Sequence, residues 1–151
     1  MKLLRRIMHE EDGQTLLLGL GLVTVILALL LVIASATAIY LDLKHLTSLA
    51  DSAAAAGAAT LDDSVYFDNE EGGPGARTSS TAHAAAVQDL ALQEPNGGLS
   101  QVVVTSATVE GETVSVTLTA RSQPPFLPWG IIPADGFALT ATGSAQAVTT
   151  Q

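Results

Sequence analysis

The sequence contains no cysteine, few aromatic residues, no proline before Pro74 and no charged residue between Gly13 and Leu41. The missing cysteines exclude disulfide staples, a thiolate nucleophile and a Cys-type zinc site. Any folded part must hold together by packing, within the chain or against other subunits. Positive charge is scarce too: six Lys and Arg stand against fifteen Asp and Glu, for a net charge of −9. A surface of that sign is a poor partner for nucleic acid and is repelled by anionic lipid headgroups.

Catalytic patterns are also missing. There is no Gly-x-Ser-x-Gly elbow, no Ser-x-x-Lys pair and no phosphate-binding Gly-x-x-x-x-Gly-Lys loop. Gly19-Leu20-Gly21 lies inside an apolar run and reads as helix packing. His9, His45 and His83 are isolated from one another and have no metal-ligand spacing. The sequence therefore indicates no catalytic, cofactor-binding or metal-binding residue, no cofactor and no small-molecule ligand. It reads as a protein that is not an enzyme.

What is present begins with the uncharged run. Gly13–Leu41 covers 29 residues; as an α-helix it would be about 43 Å long, against the ~30 Å hydrocarbon core of a bilayer. This predicts a transmembrane helix over 13–41 and a lipid bilayer as its surroundings. Lys2, Arg5 and Arg6 precede the run, and Lys44 is the one cation close behind it. The positive-inside rule then puts residues 1–12 in the cytoplasm and the remainder outside the cell membrane. Residues 42–151 carry twelve acidic and three basic side chains, which accounts for the whole net charge.

"EEDGQTLLLGLGLV", residues 10–23, admits three readings. A secretory signal peptide could be cut at Ala34-Ser35-Ala36 or Ala36-Thr37-Ala38, but its apolar core, Leu16 to Ile33, is longer than the roughly 7–15 residues such signals use. The segment also resembles a type IV pilin-like leader, cut between Gly13 and Gln14. The fifth residue after that cut is Leu18, where such precursors usually carry glutamate. The third reading is an uncleaved anchor.

Nothing between Leu41 and Leu61 breaks a helix except Gly57, and "LDLKHLTSLADSAAAAGAATL" is rich in the strong helix formers Leu and Ala. The expectation is a nearly continuous helix from about Gln14 to Leu61, residues 42–61 being its extracytoplasmic extension. Ile39, Leu43, Leu46, Ala50, Ala53 and Gly57 recur at spacings of four and three and form one stripe. Leu43, Leu46, Ala50, Ala53 and Gly57 are the expected helix-packing seam. It faces either partner helices or the chain's own β-sheet.

A short leader ending in Gly-Gln-Thr, the apolar span and "YLDLKHLTSLADSAAAAGAATLD" together resemble the N-terminal module of TadG/TadE-like proteins of Tad (Flp) pilus systems. Tyr40, Lys44, Leu46, Ala50, Asp51, Ala53, Ala54, Gly57 and Ala58 occupy that pattern. The likeness covers about residues 10–63. It implies a bacterial envelope location and other pilus-assembly or pilin-like membrane proteins as partners.

Residues 62–81 read as an acidic, Gly-rich loop. Asp62, Asp63, Asp68, Glu70 and Glu71 lack the ligand order of a calcium-binding loop and read as a solvated surface. Residues 82–151 read as a small α+β domain. "STAHAAAVQDLALQE" predicts a short helix with Ala84, Val87, Leu90 and Ala91 on one face. Val114, Val116, Leu118 and Ala120 alternate with polar neighbours, "SQVVVTSATVE" precedes them, and Phe137–Val148 follows. The expected architecture is α+β: a long N-terminal transmembrane helix continuing outside the membrane, a short helix and a small antiparallel three-stranded sheet, pilin-like in outline.

Pro124, Pro125, Pro128 and Pro133 exclude a central strand from "PPFLPWGIIP". Phe126, Leu127, Trp129, Ile131 and Ile132 form the densest apolar cluster outside the long run. It reads as a contact loop or as a loop folded back onto an undersized core. The functional expectation is a single-pass membrane component of a Tad/Flp-type pilus assembly or adhesion system, a minor-pilin-like or structural subunit. The alternative is a membrane-anchored extracytoplasmic binding or sensing domain unrelated to pili.

Overall fold

The computed structural model describes residues 2–67, 74–93, 98–125 and 135–147. Five elements follow in chain order: helix α1 (Lys2–Phe67), helix α2 (Pro74–Leu92) and strands β1 (Leu99–Glu110), β2 (Thr113–Ser122) and β3 (Phe137–Gln146). The strands form one antiparallel sheet in the order β1-β2-β3. The class is α+β, as the periodicities predicted.

α1 is unbroken for 66 residues, about 100 Å at 1.5 Å per residue. It extends beyond both expected ends, past Gln14 on one side and Leu61 on the other. α2 likewise starts at Pro74, ahead of the expected Ser80. Proline is favoured at the first helical position, where its missing N–H would have no intrahelical partner. Much of the expected loop over 62–81 is therefore helical, and residues 68–73 lie outside the described residues.

The sheet packs along one side of α1 beyond the uncharged run. Val114, Val116, Leu118 and Ala120 alternate strictly inward along β2, meeting Leu46, Leu49, Ala50, Ala53, Ala54, Ala58 and Leu61 of α1 in one core. At the far end of the sheet Val114 Cγ1 lies against Gly57; at the near end Ser122 bonds to Asp42. β2 thus runs antiparallel to α1, and the sheet spans the helix from Asp42 to about Gly57.

In β1 the register shifts between Val104 and Ser106. This bulge explains how Val102 and Val104 can turn inward together with Ala107 and Val109, two pairs of opposite parity. The β1–β2 turn is Gly111-Glu112, with Gly111 at φ +62°, a conformation natural to glycine in a two-residue hairpin. The outer face of the sheet is rich in hydroxyls. Thr105 and Thr119 share a 3.0 Å hydrogen bond, and Thr117 and Thr142 one of 3.1 Å.

α2 corrects one expectation. Among its described side chains Ala82 and Ala86 are buried, with Leu90 packed at their edge, while Ala84, Val87 and Ala91 are exposed. The contact is a close one, built from small residues: a Cβ on Gly57 would come within 3.4 Å of the Ala82 Cβ. Hydrophobicity pointed to the face carrying Val87, but proximity selects the alanines.

Candidate functional site

The described residues contain no constellation resembling an active site. Among them no group of three or more His, Asp or Glu is placed to hold a metal ion. Of the acidic residues considered for calcium, Asp62 lies in α1 with Asp63, and Asp68, Glu70 and Glu71 are outside the described residues. His83 is half-buried on α2. On α1 the Nε2 atom of His45 is shielded from solvent without a hydrogen-bond partner, and nothing in the structure explains it.

The informative region is therefore the extension of α1 and its two faces. Of the expected seam, Leu46, Ala50 and Ala53 are fully buried and Gly57 is buried with them, all against the chain's own sheet and α2. Leu43 departs from this group. It is 37% exposed and belongs to the opposite side of the helix.

The covered side is pressed close by a glycine that the apolar pattern of β3 passes over. Gly143 is buried between Ala141 and Ala145, and a Cβ built on it would overlap backbone atoms of Ala50 and Asp51. The strand can lie on the helix backbone only because no side chain intervenes. No flexible group in that contact could swing aside.

Asp42 fixes the near end of the sheet. It is 8% exposed although it follows directly on the uncharged run. Its carboxylate accepts hydrogen bonds from Ser122 Oγ and from the Gly98 backbone N–H, the latter at 3.3 Å. The Gln123 N–H in turn donates to the Gly98 carbonyl at 3.1 Å. A buried carboxylate needs such donors to offset its lost hydration. One side chain of α1 thereby ties down the start of β1 and the end of β2. Its position in the sequence reads as an ordinary solvated residue, because the donors come from 56 and 80 residues away.

A second polar contact joins the two helices: Ser52 Oγ donates to Asp89 at 3.1 Å and accepts from Gln93 Nε2 at 2.9 Å. On the far side of α1, Tyr40, Leu43, Lys44, Thr47, Ser48 and Asp51 line a shallow open groove. Neither sheet nor α2 covers Tyr40, which is 66% exposed.

From Gln14 to Ile33 the helix is bare. The segment from Gln14 onward is long and apolar enough to cross a membrane, and none of its most apolar window is buried. Leu16, Leu17 and Leu18 are each more than 70% exposed. Thr24, Ser35 and Thr37 satisfy their hydroxyls on carbonyls four residues back, so this stretch carries them without unpaired donors. Gly13 and Gln14 are helical, and Gln14 is exposed. Phe126, Leu127, Trp129, Ile131 and Ile132 lie outside the described residues. The chain leaves for them at Pro125 and returns at Asp135, whose carbonyl accepts a 3.3 Å hydrogen bond from Arg121.

Residues 13–60 match the model of a family described as putative Flp pilus-assembly TadE/G-like. No curated protein and no solved structure matches the chain.

Proposed function

We propose that the protein is a single-pass membrane component of a Tad/Flp-type pilus system, acting as a minor-pilin-like or structural subunit; the match of residues 13–60 to the putative Flp pilus-assembly TadE/G-like family supports this reading. The observation that carries this reading is the continuity of α1. The same uninterrupted helix supplies a bare apolar stretch and the spine of a packed domain. A load on the domain is transmitted to the bilayer anchor through a hydrogen-bonded rod, with no hinge between them.

In this reading Lys2, Arg5 and Arg6 lie in the cytoplasm and the sheet outside, as the positive-inside rule favours. Asp42, the first charge after the apolar stretch, then sits at the outer membrane–water boundary with its hydrogen bonds already made. The end of β2 and the start of β3 lie at this same end, since Ser122 pairs with Phe137 and bonds to Asp42. The partners are the lipid bilayer and other membrane proteins of the pilus system.

The test is protease protection in membranes carrying the full chain with a tag at each end. The expected result is a C-terminal tag digested from outside and an N-terminal tag protected until the membrane is opened. The opposite pattern, or recovery of the chain away from membranes, would overturn the reading.

A further inference from the structure

We propose that α1 pairs side by side with α1 of a second copy of this chain, displaced along the helix axis by seven residues, so that Lys44 of one copy meets Asp51 of the other. The inference rests on the membrane-anchored reading above and adds a partner and a register to it.

The face in question is the uncovered side of α1. Tyr40, Lys44, Ser48 and Asp51 are exposed there and Thr47 is half-buried, while the opposite side carries the whole sheet. Lys44 is the sole cation of α1 beyond the uncharged run, and neither it nor Asp51 makes an ion pair among the described residues. Seven residues correspond to about 10.5 Å of helix, too far for the two side chains to pair within one chain.

The pattern is complementary to itself, but only after a shift. Two parallel helices side by side without displacement would place Lys44 beside Lys44 and Asp51 beside Asp51, like charge against like. A displacement of three or four residues would set Lys44 against Thr47 or Ser48. A displacement of seven keeps the same face toward the partner, because seven residues are close to two full turns. It also brings opposite charges together. Elsewhere the exported residues are predominantly acidic, so copies repel each other broadly and this face offers a specific exception.

The membrane segment tolerates the displacement. Its 29 uncharged residues make a helix about 13 Å longer than the ~30 Å hydrocarbon core. Two neighbours offset by about 10.5 Å can therefore each keep an uncharged stretch across the full core. A span of minimal length could not do this without drawing a charge into lipid. The excess length and the spacing of the charges point to the same offset.

The absence of cysteine makes the test direct. Two differently tagged full-length chains are co-expressed in membranes, one carrying Tyr40→Cys and the other Thr47→Cys, both keeping Lys44 and Asp51, and oxidised with copper phenanthroline; Tyr40 and Thr47 line the same groove and meet at the same seven-residue offset. The 40–47 disulfide is expected to exceed 40–40 and 47–47 products several-fold, as well as cross-links from Thr140→Cys on the far face of the sheet. Dominant 40–40 or 47–47 products, or no product above the Thr140→Cys level, would overturn the proposal. The latter is also the outcome if the face meets only lipid headgroups or water.

Charge reversal gives a second readout. Lys44→Asp and Asp51→Lys should each reduce co-purification of the two tags several-fold, and the double variant should restore it. Unchanged co-purification in the single variants, or failure of the double variant to recover, refutes the pairing. Recovery of each variant in the membrane fraction is scored separately, so loss of the anchor is distinguished from loss of the pair.

Discussion

A single methyl group at Gly143 should separate the sheet from the helix. Carbon atoms pack at about 3.5–4.0 Å, and a Cβ at Gly143 falls well inside that limit against the backbone of Ala50 and Asp51. Because the opposing atoms are backbone, α1 and β3 must move apart as whole elements. That displacement loosens the neighbouring contacts of Ala53, Leu118 and Ala141 in the same core. Overpacking of a closed core costs roughly 1–3 kcal/mol. The entropic gain of a Gly→Ala change, about 0.4–1 kcal/mol, offsets part of it. A net loss of about 1–2 kcal/mol corresponds to a fall in Tm of roughly 5–15 °C for a folded unit of this size. The assay is thermal unfolding of the full chain in detergent micelles by circular dichroism, with amide exchange along β3 as a local probe. Gly143→Val should lose more than Gly143→Ala. Ser144→Ala, one residue along on the exposed face, should stay within about 0.5 kcal/mol of the parent. A Gly143→Ala variant that melts with the parent or above it would refute the close approach of α1 and β3.

Further tests address the other contacts. Asp42→Ala leaves the Ser122 hydroxyl and the Gly98 N–H without their acceptor and should cost about 1–3 kcal/mol. A double-mutant cycle with Ser122→Ala checks it, since purely additive losses would mean that the two do not interact. Leu118→Ala empties a fully buried position and should cost about 2–5 kcal/mol, read from the denaturant midpoint; a smaller change would show a collapsible core. Ala53→Glu should unfold the domain rather than spare it for assembly, because Ala53 is fully buried within the chain; a folded Ala53→Glu variant by amide exchange would contradict that packing. The intact mass of the chain from envelopes decides the N-terminus: a start at Gln14 demonstrates cleavage after Gly13, and a start near Met1 demonstrates a permanent anchor.

The elements of this fold were legible because each carries a local period. β2 alternates residue by residue, and its inward set, Val114, Val116, Leu118 and Ala120, is the set the pattern names. Along the α1 stripe Leu46, Ala50, Ala53 and Gly57 are buried within the chain and Leu43 is exposed, where the sheet ends. α2 is a helix as its pattern predicts, but of Ala84, Val87, Leu90 and Ala91 only Leu90 packs on the core: Val87 outweighs Ala82 and Ala86 on any hydrophobic scale, whereas the space against Gly57 favours small side chains. Helix replaces loop over 62–67 and 74–81, because Pro74 and Gly75 read as breakers when taken without their position. At the first turn of a helix the same proline is favourable.

What the sequence determined by itself follows from composition and spacing along the chain. It fixed a helix long and apolar enough to cross a bilayer, an absence of thiol chemistry, an α+β class and the Tad-type text that the family match over 13–60 supports. Those properties depend on neighbours within a few residues, so one strand of text contains them. Tertiary structure alone decided which side of α1 is covered, why β3 needs a glycine at 143, and that Asp42 is a buried latch. Each of these depends on a partner contributed from some 50 to 90 residues away. Close packing and the desolvation of a carboxylate are properties of the pair, and neither residue shows them until the chain has brought the two together.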